Sequence, residues 1–156
     1  MTTLDVQEAV QTLEVAREEL IAAPIGIVFE TILEQMGPCN ETPDGTALPM
    51  KLEAWPGGRW FRDLGHDTGH LWGHVQSIKA PHLIEIYGPL FMSTPAISNV
   101  QYRLTAEGAG TRLKFCHRAI GWILPEHRDG LKIDAGWGNM ISRVKNEAEQ
   151  KQEKEK

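Results

Sequence analysis

Between Met50 and Ala119 the chain keeps a hydrophobic period of two, and from about Arg128 onward the period becomes helical for roughly twenty residues. Strands with one apolar face and a single long amphipathic helix each leave apolar surface that the other must cover. The sequence therefore predicts an α+β fold in which a curved antiparallel sheet wraps a long C-terminal helix. Ile84 and Ile86 oppose Glu85, while Val100, Tyr102 and Leu104 share one side of their strand. The turn over Glu107 to Gly110 releases a strand with Leu113, Phe115 and His117 on one side. Two large apolar neighbours mark that side as inward, so His117 is expected to face the interior. On the helix, Ile133, Trp137, Met140, Ile141 and Val144 form one stripe, with Arg143, Lys145, Asn146 and Glu147 mostly off it.

Upstream, Leu13 to Ala22 reads as a first strand. Neither face is clean, which suits an edge position. Pro24 opens a helix bearing Ile27, Val28, Phe29, Ile32 and Leu33, and Gly37-Pro38 ends it. Residues 37 to 49 carry loop chemistry. Gly88 to Pro95 interrupts the strands with an unusually apolar connection, Leu90-Phe91-Met92. The expected organisation is a lead-in over 1–14, one domain over 15–149 and a charged, frayed tail over 150–156.

A chain of 156 residues is large enough for one substantial core. A net charge of −5 disfavours nucleic acid as the main partner, because phosphate binding needs a basic face. No stretch reaches the ~20 apolar residues of a membrane span, and no signal peptide is visible. With two cysteines, Cys39 and Cys116, a reducing cytoplasm is the expected location.

Ile21-Ala22-Ala23-Pro24, Trp55-Pro56-Gly57-Gly58-Arg59, Trp72-Gly73-His74-Val75, Ala80-Pro81-His82-Leu83, Gly110-Thr111-Arg112-Leu113 and Gly136-Trp137 follow one another at characteristic spacing. In this order the chain resembles the helix-grip proteins of the START and birch-pollen-allergen type. Within them it is similar to the bacterial SRPBCC branch related to the activator of the heat-shock chaperone ATPase. The resemblance implies a bent sheet gripping the terminal helix, with a cavity between them. It also implies two short helices after the first strand, of which this sequence shows one.

His117 has two readings. It is a polar anchor or proton-transfer group at the cavity, or a buried neutral histidine bonded to a backbone carbonyl or to Tyr102. His66, His70 and His74 are spaced by four, as zinc ligands on a helix would be, but Gly65 and Gly69 make the segment a hairpin turn. No metal and no cofactor are expected, and no phosphate loop, dinucleotide fingerprint or Gly-x-Ser-x-Gly is present. Trp60 shares parity with Arg62, so either Arg62 enters the cavity or Trp60 lies on the outer face. Cys116, in step with Lys114 and Arg118, should point outward. Arginines on the strands should pair with Glu53 and Glu85 across the solvated face. Asp129 is the expected cap of the long helix.

The leading functional expectation is noncatalytic binding of a small hydrophobic or amphipathic molecule. Leu90, Phe91, Met92, Phe115, Trp137 and Met140 would supply contact area, and Tyr102 and His117 would orient a polar end. By the resemblance, Trp122 lies near the cavity mouth, where it covers a ligand or seals the core. The alternatives are a polyketide cyclase or dehydratase-like enzyme using His117, and a co-chaperone-like module with a chaperone partner. Exposed tryptophans would suit a homodimer face.

Overall fold

A computed structural model describes residues 9–128 and 131–155. Its elements are β1 (Gln11–Ile21), α1 (Ile25–Met36), β2 (Lys51–Leu52), β3 (Arg59–Gly65), β4 (Thr68–Lys79), β5 (Leu83–Gly88), β6 (Ala96–Glu107), β7 (Gly110–Gly121), α2 (Pro125–Arg128) and α3 (Leu131–Lys154). The strands form one antiparallel sheet in the order β1-β7-β6-β5-β4-β3-β2. α3 packs against α1 and β1 on the concave side, which is the helix-grip arrangement.

The inward parities are as the sequence implies. Val100, Tyr102 and Leu104 on β6 and Leu113, Phe115 and His117 on β7 are all buried, as is the α3 stripe of Ile133, Trp137, Met140, Ile141 and Val144. β1 does occupy an edge, and the register explains its mixed face. Leu13, Val15 and Ile21 are buried, whereas Arg17 and Glu19 share their parity but reach the flank of α3. There Arg17 Nη2 meets Asp134 Oδ2 at 3.0 Å and Glu19 Oε1 lies 4.0 Å from Lys145 Nζ. The charges that spoil the alternation therefore fasten the strand to the helix.

Several expectations need correction. The strand begins at Gln11, so Gln11–Glu14 belong to the sheet rather than to a lead-in; residues 1–8 lie outside the described residues. The charged tail is helical to Lys154. Lys151 Nζ donates to Glu34 Oε2 at 2.7 Å and to Thr31 Oγ1 at 3.0 Å, so α1 anchors the last turns of α3. The polar segment before α3 holds a helical turn, α2, instead of plain loop; the cap expected at Asp129 lies outside the described residues. Glu53 pairs with Arg59 at 2.7 Å as expected, but Glu85 accepts from the amides of Asn99 and Gln101 rather than from an arginine.

Sheet curvature has a visible cause. Register shifts interrupt β3–β4 at Trp60/Phe61 and at Asp63/Gly65, and β4–β5 at Val75/Ser77. An extra residue on one strand of a pair bends the sheet locally and raises its twist. The first shift lies beside Trp60, which is buried, while Arg59 sits over the Phe61 ring at 4.5 Å on the opposite face. Trp60 thus points inward. Arg62 donates from Nη1 to the Pro49 carbonyl at 3.2 Å. The β3–β4 connection is a two-residue turn with His66 and Asp67 at φ 53° and 57°, the geometry of tight hairpins. It leaves His66 in the turn, with His70 and His74 further along β4.

Gly73 shows how closely the strands approach. A Cβ there would lie 2.5 Å from the carbonyl oxygen of Tyr87. Gly73→Ala is therefore expected to destabilise the fold by roughly 1–3 kcal/mol, measured as a lower urea midpoint at unchanged slope.

Candidate functional site: a pocket between sheet and terminal helix

A pocket of about 350 Å³ lies between the concave face of the sheet and α3. Trp60 from β3, Trp72 from β4 and Phe91 from the β5–β6 connection line one side. Ile133, Trp137 and Met140 from α3 line the other, and loop residues 40–43 with Leu48 close the rim. The rings meet edge to face. Trp60 and Trp72 are 5.1 Å apart at 77°, and Trp72 and Phe91 are 5.9 Å apart at 74°. Such contacts favour one arrangement of the aromatic wall.

The indole N–H groups of these tryptophans are all used within the protein. Trp60 Nε1 donates to the Met36 carbonyl at 2.8 Å, Trp72 Nε1 to His70 Nδ1 at 3.2 Å and Trp137 Nε1 to His117 Nδ1 at 3.0 Å. The pocket therefore meets the apolar parts of these rings.

His117 is fully buried and lies behind the lining, not in it. Because Trp137 donates to Nδ1, that nitrogen carries no proton, and the neutral tautomer has its hydrogen on Nε2. Nε2 then donates to Ser98 Oγ at 2.8 Å. Burial pushes the imidazole pKa down to about 4. Its partners are Ser98 and Trp137, neither a backbone carbonyl nor Tyr102. Both nitrogens are committed to the protein, so the ring holds α3 to the sheet.

The other residues singled out from sequence fall into three places. Phe91, Tyr102, Trp137 and Met140 line the pocket. Leu90, Met92 and Phe115 are buried in the core. Phe115 supports the lining, with ring centroids 4.7 Å from Trp137 and 5.0 Å from Tyr102. Trp122 is 46 % exposed and is not among the lining residues.

Three polar side-chain atoms of pocket residues are buried without a hydrogen-bond partner in the protein: Tyr102 Oη, His127 Nδ1 and Arg143 Nε. Tyr102 is 1 % exposed, and burial holds its phenol well above the usual range, so it keeps its proton. Arg143 is the pocket's cation. Its Nη1 donates to Gln35 Oε1 and, at 3.3 Å, to the Cys39 carbonyl, while Nε lies 4.0 Å from Glu41 Oε1. Burial lowers its pKa, and Glu41 and Tyr102 act in the opposite direction. A guanidinium keeps its charge under such conditions.

Sequence reasoning missed Trp60 as a wall residue, along with Trp72, His127 and Arg143. For Arg143 a signal existed. Gly136, Met140 and Arg143 recur at spacings of four and three, which places them on one helical face. Gly136 also lets the rim approach: a Cβ there would meet Pro43 Cγ at 3.3 Å. Among the described residues no group of three or more His, Cys, Asp or Glu is placed to hold a metal ion. No helix among them is long and apolar enough to cross a membrane.

No family model matches the chain, and no curated protein matches it in sequence. Solved structures do. An uncharacterised protein from Rhizobium leguminosarum superposes with a TM-score of 0.67 at 19% identity, covering 91% of this chain and 97% of its own. Mll3558 from Rhizobium loti gives a TM-score of 0.66 at 17% identity over 89% and 99% of the two chains. CalU16 from Micromonospora echinospora gives 0.59 at 18% identity over 88% and 80%. At these identities the property shared with these proteins is the helix-grip fold.

Proposed function

We propose that this protein binds a small, largely apolar molecule in the pocket between the sheet and α3, without transforming it. The observation that carries this reading is a 350 Å³ hollow between sheet and α3 whose wall is formed by Trp60, Trp72, Phe91, Trp137 and Met140. Small-molecule sites typically start near 300 Å³ and combine an apolar wall with a few polar groups. Taking a water's share of liquid, ~30 Å³, as the measure, the space suits about a dozen non-hydrogen atoms.

Two rival readings have less support. An enzyme using His117 needs a nitrogen free to exchange a proton with a substrate, and both nitrogens are bonded within the wall. A co-chaperone-like module has no need of an interior hollow.

The reading is tested with 1-decanol, followed by tryptophan fluorescence. The expected result is a saturable change at one molecule per chain, abolished in Met140→Trp, where an indole fills the space. Binding that persists undiminished in the filled variant would place the molecule elsewhere and overturn the proposal.

A further inference from the structure

We propose that the ligand of this pocket carries a carboxylate, received by Arg143 and Tyr102; the inference rests on the pocket reading above. Buried polar atoms are nearly always hydrogen-bonded. Tyr102 Oη, with its proton held on, and Arg143 Nε both need an acceptor that the protein does not provide. The indole N–H groups of Trp60, Trp72 and Trp137 are already bonded within the wall, so the polar demand of the pocket falls on these two donors and on His127 Nδ1.

An oxygen acceptor satisfies both donors, and an ionised one gains most from the guanidinium. Glu41 limits the charge. Its Oε1 stands 4.0 Å from Arg143 Nε, beyond hydrogen-bond reach but close enough to share the cation. One guanidinium already facing a carboxylate suits a ligand with a single negative charge better than a phosphate with two. Glu41 lies on the rim segment, half exposed, so its side chain can turn toward solvent as the ligand carboxylate enters. The result is a carboxylate held at Arg143 and Tyr102, with an apolar tail against Trp60, Trp72 and Phe91.

Titration calorimetry at pH 7.5 with decanoate and 1-decanol, which share one tail length, separates the two readings. Decanoate is expected to bind the unaltered protein about ten-fold more tightly than decanol, the gain typical of one charge-assisted hydrogen bond. Arg143→Gln and Tyr102→Phe should each pull that preference toward one, Arg143→Lys should retain part of it, and Glu41→Gln should raise decanoate affinity alone. Decanol binding as tightly as decanoate to the unaltered protein would overturn the carboxylate and leave the apolar pocket standing. A preference that survives Arg143→Gln would overturn it equally. Failure of both molecules to bind would overturn both proposals.

Discussion

Trp137→Ala is expected to cost about 3–5 kcal/mol of folding stability, a large part of what a domain of this size holds. The indole is 8 % exposed and ties α3 to β7. Its ring centroid lies 4.7 Å from that of Phe115 and 5.5 Å from that of His117, and its N–H satisfies His117 Nδ1 at 3.0 Å. Truncation leaves a void that neighbours fill only partly, and also strips a buried nitrogen of its donor. Trp137→Phe separates the two contributions. It keeps most of the ring volume but not the N–H, and should cost roughly 1–3 kcal/mol. Urea unfolding of both variants measures this. A loss below 1 kcal/mol for Trp137→Ala would show that the helix is held to the sheet by other contacts.

The second large effect is a dependence of stability on acidity. An unfolded histidine takes up a proton near pH 6.5, but burial delays this to about pH 4 in the folded protein. Between those values the unfolded chain binds more protons, so stability is full above pH 6.5 and falls as the solution is acidified. The integrated loss is about 3 kcal/mol by pH 4. Carboxylates that arginines stabilise, such as Glu53, whose pKa is held down to about 2 by Arg59, contribute only as the pH falls through the ordinary carboxylate range near 4.5. The slope between pH 7 and 5 therefore tracks the buried imidazole. His117→Gln can still donate toward Ser98 and accept from Trp137, yet has no proton to gain. It should flatten that part of the curve whatever its own stability. An equal slope in both proteins would show that His117 protonates in place.

The architecture was legible because its signals are periodic. Alternation gave the inward faces of β6 and β7, and helical spacing gave the buried stripe of α3, without knowledge of which strands pair. Of the pocket wall, Tyr102, Trp137 and Met140 were legible from those parities, and Phe91 from the unusually apolar connection that carries it. Trp60 was ambiguous because a register shift beside it alters the relation between strands and has no signature in composition. Arg143 was set aside because the stripe was traced through apolar residues alone. Its charge is tolerated beside the core because Gln35, the Cys39 carbonyl and Glu41 surround it, and those partners come from α1 and the following loop. His117 was placed correctly inside, but its partners required the cross-strand register. Once His117 pairs with Val100, Ser98 lies two residues away on the same face of β6. The frayed tail misled because alternating charge was taken for solvation, whereas Lys151 spends its charge on Glu34.

The pocket is tested most directly by the methyl resonances of the methionines, since Met140 lines the hollow while Met36 and Met92 are buried in the core and do not line it. On titration with decanoate, the Met140 methyl signal should move saturably, with Met36 and Met92 nearly still. A Met140 signal that stays fixed while the ligand binds would contradict the assignment of this space as the site.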